Sequence, residues 1–523
     1  MRVGFASIYS WRPHVEHLYF LATLAQRAGH EVFFLACDGD LPNCYARESL
    51  GRSAWRECLQ CRIGGIRSYS AQNVDSLGQY MGAPPAAATP AQWAYSSAST
   101  LGRFESNAEY ASSEFRAIAD RLQPVVSLSY AAAKAWMTER NIEAVCVFNG
   151  RMDATRAVFE AAKALGIQTV TLERTWFGDG LQLYPNQSCL GLAAVHDLVG
   201  AWKSRALTQS QALVAASHIG SRFLRRNAKE WRAYNTEAKR APWPGDPASR
   251  KILLVPSSRN EVWGHPDWES AWSEPLVAYD AVIGQLGLKP HEIVLRCHPN
   301  WSEHIGTRDG SMSERYYTEW ARRRGFYCIP SADKTSTLGL IEDCDAIVVA
   351  NGSAALEAGI LGKQVIGTAP SIYQAAGLRD SALSEKEVEL LELNIDRPEG
   401  ARQELARAIA TYTLRFCYSM VYRVAQYTEE VRADATTRYR YDFDAKPDRF
   451  LDLLRTGRLT ANNSDYSETD VAERQVLDLI AARDWEAVCT GAKAAGAEFR
   501  YLARRPLFRV VDLIARWKPV GDR

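Results

Sequence analysis

The sequence predicts an α/β protein of two Rossmann-like domains, with a helical insertion in the first and a helical C-terminal tail after the second. Three observations predict it. Short apolar runs alternate with amphipathic helical stretches in two separate regions, the pattern of parallel, doubly wound sheets. The chain has 523 residues, more than one ordinary core accommodates. A Pro-rich segment, APWPGDP, lies between the two alternating regions.

The elements follow in chain order. Residues 2–6 are a short apolar strand, followed by the loop SIYSWRPHVEH and a helix that puts Leu18, Leu21, Leu24 and Ala25 on one face. Gly29 stops that helix, and EVFFLAC reads as a buried strand, completing a βαβ opening. Residues 37–61 are a Cys-bearing loop, and residues 84–140, rich in Ala and Ser, are a helical insertion. The alternation resumes with IEAVCVFNG, the helix TRAVFEAAKALG and the strand IQTVTLE, so the first domain takes residues 1–190. A helical linker covers 191–248. The second domain, 249–400, carries the strands KILLVPS, EIVLRC, GFYCIP, DAIVVAN and QVIGTA with helices between them. Crossover helices are expected over 401–445 and a helical tail over 446–523.

Composition narrows the function. Lys and Arg total 62 against 61 Asp and Glu, a balance that speaks against a nucleic-acid partner. No apolar run reaches the ~18 residues of a membrane helix. The first apolar stretch is cut short by Arg12 and His14, unlike a secretory signal, so a cytoplasmic protein is expected.

Candidate chemistry gathers at the ends of the predicted strands. In DAIVVANGSAALEAGILGKQVIG, Asn351 and Gly352 make the turn after a buried strand and Ser353 opens the next helix, where free N–H groups suit a phosphate. Glu357, one helical turn further on, is placed to accept hydrogen bonds from a ribose diol. Arg296 and His298 alternate at the end of EIVLRCHPNW and are expected to share one face, pointing into the cleft. Ser257, Ser258 and Arg259 add polar groups at a neighbouring strand end. In the first domain, Asn149, Arg151, Asp153 and Glu173 follow two strands. Glu173 and Asp153 are the candidate general bases, and His14 and His17 lie in the first β–α loop on the expected acceptor side. Cys37, Cys44, Cys58 and Cys61 have the spacing C-x6-C-x13-C-x2-C, for which one structural zinc is expected. The DGD at 38–40 sits inside this loop and is not assigned to catalysis.

The pair His298–Pro299, with the Ser of NGSAALEAGILGKQVI downstream, resembles bacterial capsule and O-antigen transferases of the capsular polysaccharide synthesis type, a group that includes 3-deoxy-octulosonic acid transferases. The resemblance spans roughly residues 250–375 and extends to GT-B sialyltransferases, in which the HP and Ser motifs handle the CMP portion of the donor. It implies a GT-B fold, inverting and metal-independent glycosyl transfer, a role for His298 in the reaction, and a nucleotide-sugar donor. CMP is the nucleotide implied first. UDP and GDP stay open, because the acidic pair plus Gly of the sialyltransferases has no clear match and GDG at 178–180 is a poor one. The implied acceptor is a lipid-linked or growing surface glycan. The tail RRPLFRVVDLIARWK mixes Leu507, Phe508, Val510 and Trp517 with five basic residues, a composition suited to peripheral contact with the inner membrane face. Two other readings remain open, a sugar-nucleotide 2-epimerase of the same fold and a non-catalytic glycan-assembly protein.

Overall fold

In the computed structural model the described residues are 1–82, 89–230, 235–304, 308–492 and 499–510. Two six-stranded sheets carry the fold. The first contains β1 (Arg2–Ser7), β2 (Glu31–Ala36), β3 (Val74–Ser76), β4 (Ala144–Phe148), β5 (Gln168–Arg174) and β6 (Leu181–Pro185), in the order β3-β2-β1-β4-β5-β6. All its neighbours are parallel except β6, which runs antiparallel to β5. The second contains β7 (Ile252–Val255), β8 (Ile293–Arg296), β9 (Tyr327–Ile329), β10 (Ala346–Val349), β11 (Gln364–Gly367) and β12 (Asp380–Ser381), in the order β12-β11-β10-β7-β8-β9, parallel throughout. Both faces of each sheet are covered, which is why the strands read as unbroken apolar runs.

In each sheet the strand order reverses once, between β1 and β4 in the first and between β7 and β10 in the second. Crossovers leave such a point toward opposite faces, so a crevice opens at the carboxyl ends of the two strands, and ligands bind there in open α/β sheets. The two crevices belong to the two domains, and the loops above them meet.

The insertion makes much of that meeting. It folds as short helices over residues 91–102 and a long helix, Ser113–Glu139, and it packs on both domains. Arg103, 2% exposed, donates to the carbonyl of Asn300 at 2.8 Å. Trp263, from the loop after β7, stacks on Tyr110 with centroids 4.0 Å apart. At the centre lies Glu105, fully buried, which accepts the Arg259 backbone N–H at 3.1 Å and the Tyr317 hydroxyl at 3.0 Å.

After the second domain the chain returns to the first. The helix Glu399–Tyr418 is followed by a hairpin of β13 (Val431–Ala435) and β14 (Arg438–Tyr441), where helices alone were expected over 401–445. Tyr439 and Tyr441 alternate inward and join the first core. The segment at 178–180 receives this return. Gly180 N–H donates to the Val431 carbonyl at 2.8 Å, and Asp179 accepts from Ala433 N–H at 2.8 Å and Arg432 at 3.1 Å. Gly180 has φ +84°, and a Cβ there would fall 2.9 Å from the Gln426 carbonyl oxygen. GDG is thus a docking turn for the crossover.

The tail is not a separate helical unit. Its helix Asp448–Thr456 puts Phe450, Leu451, Leu453 and Leu454 into the first core, while Val476, Ile480, Trp485 and Val488 join a core of the second domain. Arg504 and Arg505 bond residues 63–71 of the first domain, among them Ser68 Oγ at 3.1 Å and the Tyr69 carbonyl at 2.8 Å. Arg509 donates to the Arg504 carbonyl at 2.7 Å, so three of the five basic residues that suggested a membrane face are held by protein. Trp517 and the rest of that stretch beyond residue 510 lie outside the described residues. Among the described residues, no helix is long and apolar enough to cross a membrane.

Burial pushes the Glu105 carboxyl up to about 8, against the pull of its hydrogen-bond donors. In the unfolded chain a glutamate titrates near ~4.3. Between those values the folded protein keeps a proton that the unfolded chain has released, so stability falls as pH rises across the window. Glu105→Gln is expected to flatten the decline of Tm between about pH 5 and pH 8. Parallel curves for the variant and the wild type would assign the pH dependence to another group.

Candidate active site

The first crevice is built around Glu173. This residue is the penultimate one of β5, and the antiparallel neighbour β6 keeps the strand straight to its end. Asn149 and Gly150 form the turn after β4, both in the left-handed region at φ +65° and +68°, where Asn and Gly are the residues best tolerated. The turn aims Asn149 Nδ2 at Glu173 Oε2, 2.9 Å away, and the Asn149 Oδ1 accepts the Arg151 N–H at 3.1 Å. His14, at the start of the first helix, brings Nε2 to 3.5 Å from Glu173 Oε1, with its ring 4.0 Å from that of Phe148. Burial lowers the His14 pKa, with Arg174 adding to the effect, which favours the neutral imidazole beside Glu173. Burial likewise raises the Glu173 pKa, against Arg174 and the Asn149 hydrogen bond. About a quarter of the Glu173 side chain, 26%, stays exposed. A carboxylate with raised basicity and an open edge is equipped to take a proton.

The other first-domain candidates separate from it. Asp153 is fully enclosed. Its oxygens accept the Tyr9 hydroxyl and the Tyr45 backbone N–H, the latter at 2.8 Å, so it anchors two loops to the helix Asp153–Ala164 and is not open to a substrate. His17 is also fully buried, hydrogen-bonded through Nδ1 to the Tyr441 hydroxyl at 2.9 Å, and it joins the first helix to the returning hairpin instead of facing the cleft. Arg151 reaches into the insertion, donating to Ser96 Oγ at 2.8 Å.

In the second crevice the turn after β10 lies beside the loop after β7. A Cβ on Gly352 would come 2.9 Å from Ser257 Oγ, and that hydroxyl is buried without a partner. Asn351 and Gly352 are half-buried and Ser353 is exposed, so the turn is open. Ser353 opens the helix Ala354–Ile360 without a side-chain cap. Glu357 is buried. Its Oε1 accepts from Arg222 at 2.6 Å, while Oε2 has no partner, leaving one acceptor free. Burial raises its pKa although Arg222 opposes this. Ser258 accepts from Trp301 Nε1 at 2.8 Å, and Arg259 is engaged with Glu105 and, at 2.7 Å, with Asn107 of the insertion.

Arg296 and His298 do not share a face. Strand β8 stops at Arg296, and the chain then turns into a 3-10 segment, Pro299–Ser302, so strand alternation ends before His298. The Arg296 guanidinium, 3% exposed, donates to the carbonyls of Pro330 and Asp333, the latter at 2.9 Å, and ties β8 to the loop after β9. His298 caps the 3-10 turn, its Nδ1 accepting the Asn300 N–H at 3.2 Å.

The same device occurs at His265–Pro266 in the loop after β7. There Nδ1 accepts the Asp267 N–H at 3.2 Å, and Nε2 reaches Ser188 Oγ of the first domain at 3.2 Å. Trp268 Nε1 donates to the Leu190 carbonyl at 2.7 Å, and Leu192 N–H donates to Asp267 at 2.8 Å, so this turn latches the domains together. The repeated pattern HPDW and HPNW, residues 265–268 and 298–301, is the sequence signal that could have pointed to it.

The four cysteines line one pocket but do not form a metal site. No group of three or more His, Cys, Asp or Glu side chains among the described residues is arranged to hold a metal ion. Cys58 Sγ accepts two guanidinium N–H groups of Arg47, at 2.7 and 3.2 Å, which puts a cation where a metal would have to approach. Burial raises the Cys37 and Cys44 thiols and pushes Cys61 up to about 11, which disfavours the thiolates that zinc needs. The set does not fit the expected zinc. The DGD carboxylates are committed too, Asp38 to Arg67 at 2.6 Å and Asp40 to the Gly78 N–H at 2.8 Å.

No known family and no curated protein matches the chain. Solved structures similar to it include a KpsC β-Kdo 2,4-transferase from Thermosulfurimonas dismutans, at 13% identity and TM-score 0.30, covering 64% of this chain and 87% of that one. Another is a UDP-GlcNAc 2-epimerase from Methanocaldococcus jannaschii in complex with UDP-GlcNAc and UDP, at 10% identity and TM-score 0.28, covering 74% and 91%. A third is the Neisseria meningitidis UDP-GlcNAc 2-epimerase bound to UDP-GlcNAc, at 12% identity and TM-score 0.27, covering 80% and 98%.

The two first-domain carboxylates separate in a stability measurement. Asp153→Asn replaces one of two buried acceptor oxygens by an N–H donor that faces the Tyr9 hydroxyl or the Tyr45 N–H, and is expected to cost about 1–3 kcal/mol in urea denaturation. Glu173→Gln, with an exposed edge, is expected to stay within about 0.5 kcal/mol of wild type. Equal losses would give Glu173 the same structural role as Asp153.

Proposed function

We propose that the chain is a glycosyltransferase that moves a sugar from a nucleotide donor to a glycan acceptor with inversion. The observation that carries this reading is the basic, partly open Glu173 at the end of β5, bonded by Asn149 from the switch point of the first sheet, with a second switch point of open turns and unpaired polar atoms in the other domain. The donor sits on the second domain, its phosphates against Asn351, Gly352 and Ser353 and its ribose at the free Oε2 of Glu357. His298, on the turn after β8, is assigned to the same donor face. The acceptor lies over the first domain. Glu173 takes the proton from the acceptor hydroxyl as that oxygen bonds to the anomeric carbon, and the nucleotide leaves from the opposite face. The Asn149 hydrogen bond holds the carboxylate in place, with His14 packed beside it. CMP-, UDP- and GDP-sugars are all candidate donors, and a lipid-linked glycan is the acceptor class the resemblance implies.

Donor consumption measured across CMP-, UDP- and GDP-sugars, with and without a glycan acceptor, tests the reading. Acceptor-dependent nucleotide release is expected, and Glu173→Gln is expected to lower it by about 10²–10⁴-fold with donor affinity nearly unchanged. Epimerised nucleotide sugar formed without acceptor would replace the transferase by a 2-epimerase. Loss of donor affinity in step with turnover in Glu173→Gln would make that residue a binding group.

A further inference from the structure

An anionic donor calls for a cation, and the arginines expected or found near the second crevice are engaged elsewhere. Arg296 is spent on carbonyls, Arg259 on the insertion, and Arg222 on Glu357 and Glu230. Arg379 is different. It lies between β11 and β12, and its Nε, Nη1 and Nη2 are all buried with no acceptor. We propose that Arg379 is the oxyanion receptor of the second domain, binding a phosphate or carboxylate group of the donor. The proposal rests on the nucleotide-sugar reading for the identity of that donor.

The berth of the guanidinium is built from the backbone. It lies against Gly367, the last residue of β11, and a Cβ built there would fall 1.7 Å from Nη1, so any side chain at 367 would evict it. The ring of Tyr373 lies 6.0 Å from Arg379 Cζ, and the Tyr373 hydroxyl donates to the Gly352 carbonyl at 3.3 Å. One tyrosine therefore links Arg379 to the turn at the switch point. The nearby carboxylates have other partners. Asp380 accepts from Gln364 at 2.6 Å, and Glu387 accepts from Leu383 N–H at 2.6 Å and Ser381 at 3.0 Å.

A buried guanidinium stays charged and loses its hydration, so five unaccepted N–H donors cost the apo protein stability. An incoming oxyanion removes that cost and meets a fork suited to two parallel hydrogen bonds. Because the nitrogens are covered, engagement includes a shift of residues 371–378, the segment that carries Tyr373. The arrangement predicts a trade of stability for binding. Without ligand, a neutral side chain at 379 is better tolerated than arginine.

Calorimetry and thermal melts on the full chain test this, with inorganic diphosphate, UDP, CMP, uridine, UDP-glucose and UDP-glucuronate as probes. Arg379→Met is expected to weaken the phosphate-bearing probes by about 10–100-fold, to leave uridine unchanged, and to melt at or above the wild type without ligand. Arg379→Gln serves the same comparison if the Met variant does not fold. A loss confined to UDP-glucuronate assigns the contact to a sugar carboxylate, and an equal loss for UDP-glucose assigns it to phosphate. Wild-type nucleotide binding that Arg379→Met leaves intact would overturn the receptor and spare the nucleotide-sugar reading. Diphosphate binding that needs Arg379, in a protein that binds no nucleotide, would overturn that reading and spare the receptor. An equal loss of uridine binding would reduce Arg379 to a structural residue.

Discussion

The molecule depends on the seam between its two domains, and the seam is built on a buried carboxyl group. Glu105 takes hydrogen bonds from the backbone of the loop after β7 and from Tyr317, and Arg103 beside it grips the turn after β8. Desolvating such a group is costly, and the cost is offset only when every partner is in position. That requirement makes the relative placement of the domains specific. It also sets what the crevices can do, because each is formed by loops that the seam restrains.

Two further ties act on the same placement. The HPDW turn reaches across to residues 188–192, next to the Asn149–Gly150 turn that orients Glu173. The crossover hairpin is received by Asp179 and Gly180, just beyond the strand that carries Glu173. The proposed base thus lies at the meeting of the seam, the latch and the return. Its environment is dry enough to raise its basicity and open enough on one edge to admit a hydroxyl.

Both crevices keep buried polar atoms without partners, and in the second these include a whole guanidinium. Both oxygens of Glu173 accept hydrogen bonds, from Asn149 and the Arg174 N–H, which holds the carboxyl group in one orientation, while His14 Nδ1 and Ser7 Oγ nearby have no partner. In the second domain Ser257, one oxygen of Glu357 and the whole Arg379 guanidinium have no partner. Buried polar atoms are normally paired, so a concentration of unpaired ones at the carboxyl ends of β7, β10 and β11 is an expected mark of a ligand face.

Much of the fold was legible in the sequence. Apolar runs such as KILLVPS, EIVLRC and DAIVVAN have no other stable use than strands covered on both faces, and the helices between them force a parallel sheet. The strand-end positions of Glu173 and of the NGS turn followed from the same periodicity. The short strands β3, β6 and β12 and the hairpin of β13 and β14 were not legible, since their sequences form sheet only through partners supplied elsewhere. Side-chain roles were decided later still. Asp153, Arg296 and His17 sit near promising strand ends, and only tertiary packing committed them to Tyr9, to two carbonyls and to a hairpin from the far end of the chain. Arg379 had no motif to announce it. Its significance lies in the acceptors it lacks, and a missing partner becomes visible only when every neighbouring element has been placed.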